Sequence, residues 1–161
     1  MTYQLLLAVA LYAPQAQAHS EEAQFVQAFY DWYVPIALRN SRNPAWYVVL
    51  TDRARLLDSN LVRELKADSA EQAKATEGVV GLDFDPFLNT QDPDDHYVVG
   101  KTTRQGKSSF VDVYSVRSGK RSDKPDVIAE LTRQGTSWVF VNFHYPNIRT
   151  DLLSTLKGLR S

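Results

Sequence analysis

Three sets of side chains in this sequence have the chemistry to form a site. The first is acidic: Asp83, Asp85, Asp92, Asp94 and Asp95 lie close together, with Asn89 and Gln91 among them. Such groups are the hard oxygen ligands that calcium takes. The spacing is not that of an EF-hand loop, because Phe87 stands where a third ligand should be and no glycine follows. The pairs Asp85-Pro86 and Asp92-Pro93 point instead to turns, in which aspartate caps the backbone and proline fixes φ while Phe84 and Phe87 pack inward. A structural crossover is expected here, and Asp83, Asp85 and Asp92 are the candidates for any cation.

The second set is His19, His96 and His144, and no two of them have the i, i+4 spacing of a helical metal site. A chain cut just before His19 would offer copper an amine and a ring nitrogen if a second histidine came near. No metal or other cofactor is expected. The third set could move protons: Asp31 and Asp112 are the acids, and Tyr30, Tyr33 and Tyr114 the phenols. Asp31 falls on the polar side of its helix. Asp112 shares a strand face with Phe110 and Tyr114 and is the catalytic candidate, set against the ordinary fate of a strand aspartate, exposed or paired with a neighbouring cation. No G-x-S-x-G elbow and no glycine-rich phosphate loop occurs.

The elements that must position these groups begin with FVQAFYDWYVP, Phe25 to Pro35. At 100° per residue Phe25, Phe29, Trp32 and Tyr33 point one way, Val26 and Tyr30 widen the arc, and Gln24, Gln27 and Asp31 lie opposite. Most of this face must be core, with Phe25, Phe29 and Trp32 as the ridge against a sheet. Tyr30, Trp32 and Tyr33, with Tyr114, are the candidates to line a pocket for a small apolar or amphipathic ligand. Ser20 is a good N-cap with Glu21 and Glu22 behind it, and Pro35 should end or kink the helix.

A second helical pattern runs from Ala45 through Trp46, Val49, Leu50 and Leu57, although WYVVL could equally be a buried strand. Asp58, Ser59 and Asn60 restart a third helix, which loses its apolar face beyond Leu65. At Gly78 the period changes to two. Tyr97–Lys101, Phe110–Val116, Val127–Thr132 and Trp138–Phe143 read as four strands of an antiparallel meander. In the last strand strict alternation sets Val139, Val141 and Phe143 against Trp138 and Phe140. Pro146 and Asn147 then start a terminal helix striped by Ile148, Leu152, Leu156 and Leu159. Helices, then strands, then a helix make an α+β domain rather than alternating α/β.

Composition restricts the partners. The chain has 161 residues, no cysteine, 43% hydrophobic residues and a formal net charge of -1, which suits one domain that needs no disulfide or metal. Near-neutral charge gives no reason to expect nucleic acid or an anionic membrane. Residues 1–18 carry no charged side chain; Leu5 to Ala13 is apolar and Ala16-Gln17-Ala18 is a small-x-small pattern, so a signal peptide cut after Ala18 is expected. The run is too short to span a bilayer, and without cysteine no lipid anchor is expected there.

The order of elements resembles the nuclear transport factor 2-like (cystatin-like) fold, in which N-terminal helices lie across a curved antiparallel sheet. Three pieces resemble the bacterial family called domain of unknown function 3828: FVQAFYDWYVP, GLDFDPFLNTQD, and the ending VIAELTRQGTSWVFVNFHYP with its leucine-striped helix. Members of that family are short exported envelope proteins and lipoproteins without a settled activity. The resemblance therefore implies fold and compartment: one domain over 19–161, periplasmic or secreted.

The function expected is a non-enzymatic binding or interaction module whose partner is a protein or a small apolar ligand, with a homodimer through the outer sheet face as an option. A small isomerase-like or hydrolase-like enzyme using an acid in the cone between helices and sheet is one alternative. An inhibitor or immunity-type protein is another. Expressed in full in a Gram-negative host, the chain should be recovered with an intact mass that starts at His19; a product retaining Met1–Ala18 overturns the export reading.

Overall fold

The structure is a computed structural model that describes residues 20–39, 43–76 and 80–160. The signal segment, His19 and Gly78 lie outside the described residues. Helix α1 spans Glu21–Ala37 and begins where the sequence places its cap: the Ser20 hydroxyl accepts from the Ala23 N–H at 3.3 Å. Pro35 does not end this helix, which continues to Ala37. It sits exposed in the last turn, and Leu38 and Arg39 donate to the carbonyls of Val34 and Ile36, so the missing N–H costs little.

The packed ridge of α1 differs from the one the helical wheel selects. Val26, Phe29, Tyr30, Tyr33 and Val34 are buried, whereas Phe25 and Trp32 are only partly covered. Trp32 lies under the Arg53 guanidinium, 5.2 Å from the ring centre. The sheet and the crossover meet α1 from two sides, which rotates the buried arc toward the tyrosines.

Helix α2 spans Trp46–Asp52, so WYVVL is helical. It stops sooner than its helix-forming continuation suggests. Arg53 turns out of the helix, a 3-10 turn covers Ala54–Leu56, and Leu57 bridges to Phe140 while Asp58 N–H donates to the Phe140 carbonyl at 2.8 Å. Helix α3, Ser59–Lys74, is capped by Asp58 and continues well past Leu65. Beyond Leu65 this helix is largely exposed, with Asp68 held against the chain that follows it. Buried Asp68 accepts from Leu82 N–H at 3.2 Å and from Gln72 Nε2 at 2.7 Å. Gly81, at φ +80°, is required there: a Cβ would stand 2.7 Å from Asp68 Oδ1.

The sheet comprises β1 His96–Gln105, β2 Ser108–Arg117, β3 Lys120–Arg121, β4 Val127–Gln134, β5 Ser137–Tyr145 and β6 Thr150–Asp151. It is antiparallel throughout, in the order β1-β2-β4-β5-β6, and short β3 pairs with the end of β2. The four long strands are those the alternating pattern identifies. Register shifts between Val99 and Thr102 in β1 and at Glu130/Leu131 against β5 bend the sheet around α1. The second shift also corrects the face assignment in β5. Phe140 opposite Leu131 and Phe143 opposite Ala129 both reach the core, where strict alternation separates them.

The expected terminal helix is shortened. Pro146–Arg149 form a turn with Arg149 at φ +54°, Thr150–Asp151 pair with β5, and α4 spans Leu152–Gly158 with Asp151 capping Ser154 N–H at 2.9 Å. Leu152 and Leu156 are buried, but Ile148 and Leu159 face solvent. The architecture is α+β, helices followed by a curved antiparallel sheet and a C-terminal helix, compatible with the nuclear transport factor 2-like fold.

One carboxylate ties the first helix to the sheet. Glu22 is fully buried, and its Oε1 accepts from Arg104 Nε at 2.7 Å and from Ser109 Oγ at 3.2 Å. The Arg104 hydrogen bond, working against desolvation, holds its pKa down at about 2. Phe29 is the centre of the aromatic core, 5.4 Å from the rings of Tyr33 and Phe87 and 4.9 Å from Phe140. Phe29→Ala should therefore cost about 3–5 kcal/mol in urea denaturation and Phe25→Ala distinctly less; equal losses would overturn this ordering of the ridge.

Candidate functional site

The crossover between α3 and β1 lies against the core because three tyrosines hold it. Tyr33 Oη donates to Asp85 Oδ2, Tyr30 Oη to the Phe87 carbonyl at 2.8 Å, and Tyr145 Oη to the Pro86 carbonyl at 2.8 Å. Asp85 organises the loop as its sequence suggests. Oδ1 accepts from Phe87 N–H at 3.0 Å and Leu88 N–H at 3.2 Å, and the backbone closes through Asp85 N–H to Thr90 O at 2.8 Å. Asn89 takes φ +55° in this turn, a conformation asparagine tolerates.

This arrangement buries a charge. Burial pushes the Asp85 carboxyl up to about 6, with the donors from Tyr33, Phe87 and Leu88 pulling the other way. The Tyr33 hydroxyl is raised as well, by burial first and by the Asp85 charge second. Tyr30 and Tyr145 are raised mainly by burial, so all three phenols stay protonated and act as donors.

Beside Asp85 a cleft of about 580 Å³ opens to solvent between the end of α1, the start of α2 and the crossover. Ala37, Trp46, Asp83, Phe84, Asp85 and Gln91 line it. Trp46 is 1% exposed, and its indole Nε1 is buried without a hydrogen-bond partner. Helix α2 places this tryptophan by packing its ring edge-on against Tyr47, 4.3 Å between centres.

The residues singled out in the sequence do not converge. Tyr30 and Tyr33 lie within the core, Trp32 at its margin, and Tyr114 on the opposite face of the sheet. Asp112 shares that outer face, opposite Ile128, while Val111 and Val113 point to the core; it therefore lies outside the cone. Its carboxyl is raised by partial burial and sits 3.5 Å from Tyr114 Oη. Gly100 leaves room for the Tyr114 ring, and Arg121 covers it at 4.4 Å. Asp83 and Asp85 line the cleft, whereas Asp92 turns to Arg117 at 3.6 Å. Among the described residues no three acidic or histidine side chains gather as a metal site. His144 Nε2 faces Glu130 Oε2 at 2.8 Å. No described helix is long and apolar enough to cross a membrane.

Trp46 and the Asp85–Tyr33 pair were not identified as a site by sequence reasoning. Trp46 reads as one core residue in an apolar run, and a helix and a loop separated by more than fifty residues of chain leave no local signal of their pairing.

No family model matches the chain, and no curated protein matches it. Two solved structures do. They are the native and selenomethionine crystal structures of the type VI effector-immunity complex Tae3-Tai3 from Ralstonia pickettii, a chain of which is 24% and 20% identical to this one, with a TM-score of 0.53 in each. The matches cover 79% and 78% of this chain and 95% and 96% of the other. At this identity the likeness is one of fold.

The Asp85 shift carries a sign. Its carboxyl is raised from 3.8 to about 6, so it stabilises the fold below about pH 4, and that contribution is lost as pH rises through 6. The shift is of the order of 3 kcal/mol. Asp85→Asn keeps an acceptor and removes the titration. Between pH 5 and 7.5 the wild type should lose stability relative to this variant in thermal melts; parallel curves would overturn the assignment.

Proposed function

We propose that this chain is a protein-interaction module of the inhibitor or immunity type, exported to the periplasm or beyond, and not an enzyme. The observation that carries the reading is the filled interior. The space a ligand or substrate would occupy under α1 is taken by Phe29, Tyr33, Phe87, Phe140 and Phe143, each no more than 2% exposed. Their rings meet at 4.9–5.4 Å. Such a core leaves surface features to do the binding.

Three further points support it. Asp112, the acid an isomerase-like reading needs in the cone, lies on the outer face with Tyr114. The Asp85–Tyr33 pair has the right chemistry, but its oxygens are engaged by backbone and phenol donors that hold the crossover. The fold-level likeness to a chain of an effector-immunity complex agrees with a life spent bound to another protein.

Cross-linking in extracts of the native host, followed by separate purification of the captured protein, tests this. A stoichiometric complex on size exclusion, in which the captured protein loses its own activity, is the expected outcome. The same column reads whether the outer sheet face with Phe110, Tyr114 and Ile128 joins two copies. A chain that elutes alone with every captured candidate, or that itself turns over a substrate, overturns the proposal.

A further inference from the structure

Resting on the protein-interaction reading, we infer that the cleft between the end of α1, the start of α2 and the crossover is the docking site, and that it takes an arginine or lysine side chain, together with an adjacent backbone carbonyl, from an extended segment of the partner protein. Its lining is mixed in a way that fits this occupant. Ala37 and Phe84 would cover an aliphatic stem, and Asp83 and Asp85 supply carboxylates.

Asp85 is the stronger partner because no cation among the described residues pairs with it. Its described donors are one phenol and two backbone N–H groups, so its negative charge stands at the cleft without a counter-ion among those residues. A docked guanidinium or ammonium would supply one. The second observation is independent of the acids. Trp46 is buried at 1% exposure, lines the same cleft, and holds an indole N–H that no acceptor among the described residues reaches. An unpaired buried donor calls for an acceptor, and a peptide carbonyl beside the basic side chain provides it.

The charge of this cleft separates it from the other place where an indole N–H is unpaired. Trp138 lies in a cleft of about 310 Å³ lined also by Arg104, Lys107 and Arg133, which would repel the same occupant. Arg39 on the rim of the acidic cleft leaves Asp83 and Asp85 in the majority.

The test uses the mature chain labelled with nitrogen-15 and N-acetyl-L-arginine N-methylamide as probe, with the neutral citrulline counterpart as control. The chain has three tryptophans, so its indole N–H region should show three cross-peaks, and Trp46→Phe identifies one. Saturable movement of the Trp46 peak by the arginine probe is expected, with Trp138 unmoved and the citrulline probe weaker by about fivefold or more. Asp83→Asn, which alters an exposed carboxyl, and Asp85→Asn should each weaken binding several-fold. An unmoved Trp46 peak, equal binding of the two probes, or indifference to both substitutions overturns the inference.

The two readings fail separately. A partner that binds the Asp83→Asn/Asp85→Asn double variant as tightly as the wild type overturns the cleft and leaves the interaction module standing. The expected titration with no protein that forms a complex upholds the cleft and removes the partner class.

Discussion

The hydrogen bonds from three buried tyrosines to three consecutive residues of one loop are the constraint on which the structure depends. Tyr30 and Tyr33 come from α1 and Tyr145 from the end of β5, and their hydroxyls meet the loop at Asp85, Pro86 and Phe87. A buried hydroxyl without a partner costs about 1–3 kcal/mol, so each phenol can be buried only if the loop is in place. The loop in turn is a crossover that would otherwise carry unpaired backbone carbonyls against the core. Helix, sheet and loop thus satisfy one another, and Phe87 and Leu88 follow inward as apolar cover.

The same constraint explains why the Asp85 charge is tolerated. A carboxylate is the acceptor that can hold two backbone N–H groups on one oxygen and a phenol on the other, which an apolar residue could not do. Desolvation is the cost, and it appears as a carboxyl raised to about 6. Glu22 shows the opposite balance. It has no exposed surface, yet Arg104 reaches it from the strand edge and holds it ionised at about 2. Among the described residues the two acids differ in having a cation, and the one without it borders an open cleft.

Much of this was readable from residue order. The N-cap at Ser20, the change of period after the helical half, the four long strands and the turn character of Asp85-Pro86 all depend on neighbours within a few positions, where pattern rules apply. The misjudged features depend on distant residues. The wheel of α1 ranks Trp32 with Phe29, but the loop that buries Tyr33 arrives more than fifty residues later. Strict alternation separates Phe140 from Phe143, and only the register shift beside Glu130 and Leu131 brings both to one face. Ile148 and Leu159 match the period of Leu152 and Leu156, yet the Arg149 turn and the β6 pairing remove Ile148 from the helix. For the site, type and spacing nominated Asp112 and the phenols; burial then divided them between the core and the outer face.

What is left for binding follows from that division. Aromatic side chains that could have opened a pocket under α1 pack on one another and on the crossover, and the proposed recognition falls to the surface. There the sheet's outer face is a mixture: Tyr114 is capped by Arg121, Glu130 by His144, and Asp112 by the nearby phenol. Polar groups on it have partners within the chain. The cleft beside Asp85 differs in kind, because an indole donor and a carboxylate are each held there by the fold without a complement among the described residues. Groups fixed in place and lacking a complement lose little entropy when one arrives. On the proposed reading, a surface of this type suits a rigid partner that presents a matched cation and carbonyl better than a small apolar molecule, which could satisfy neither.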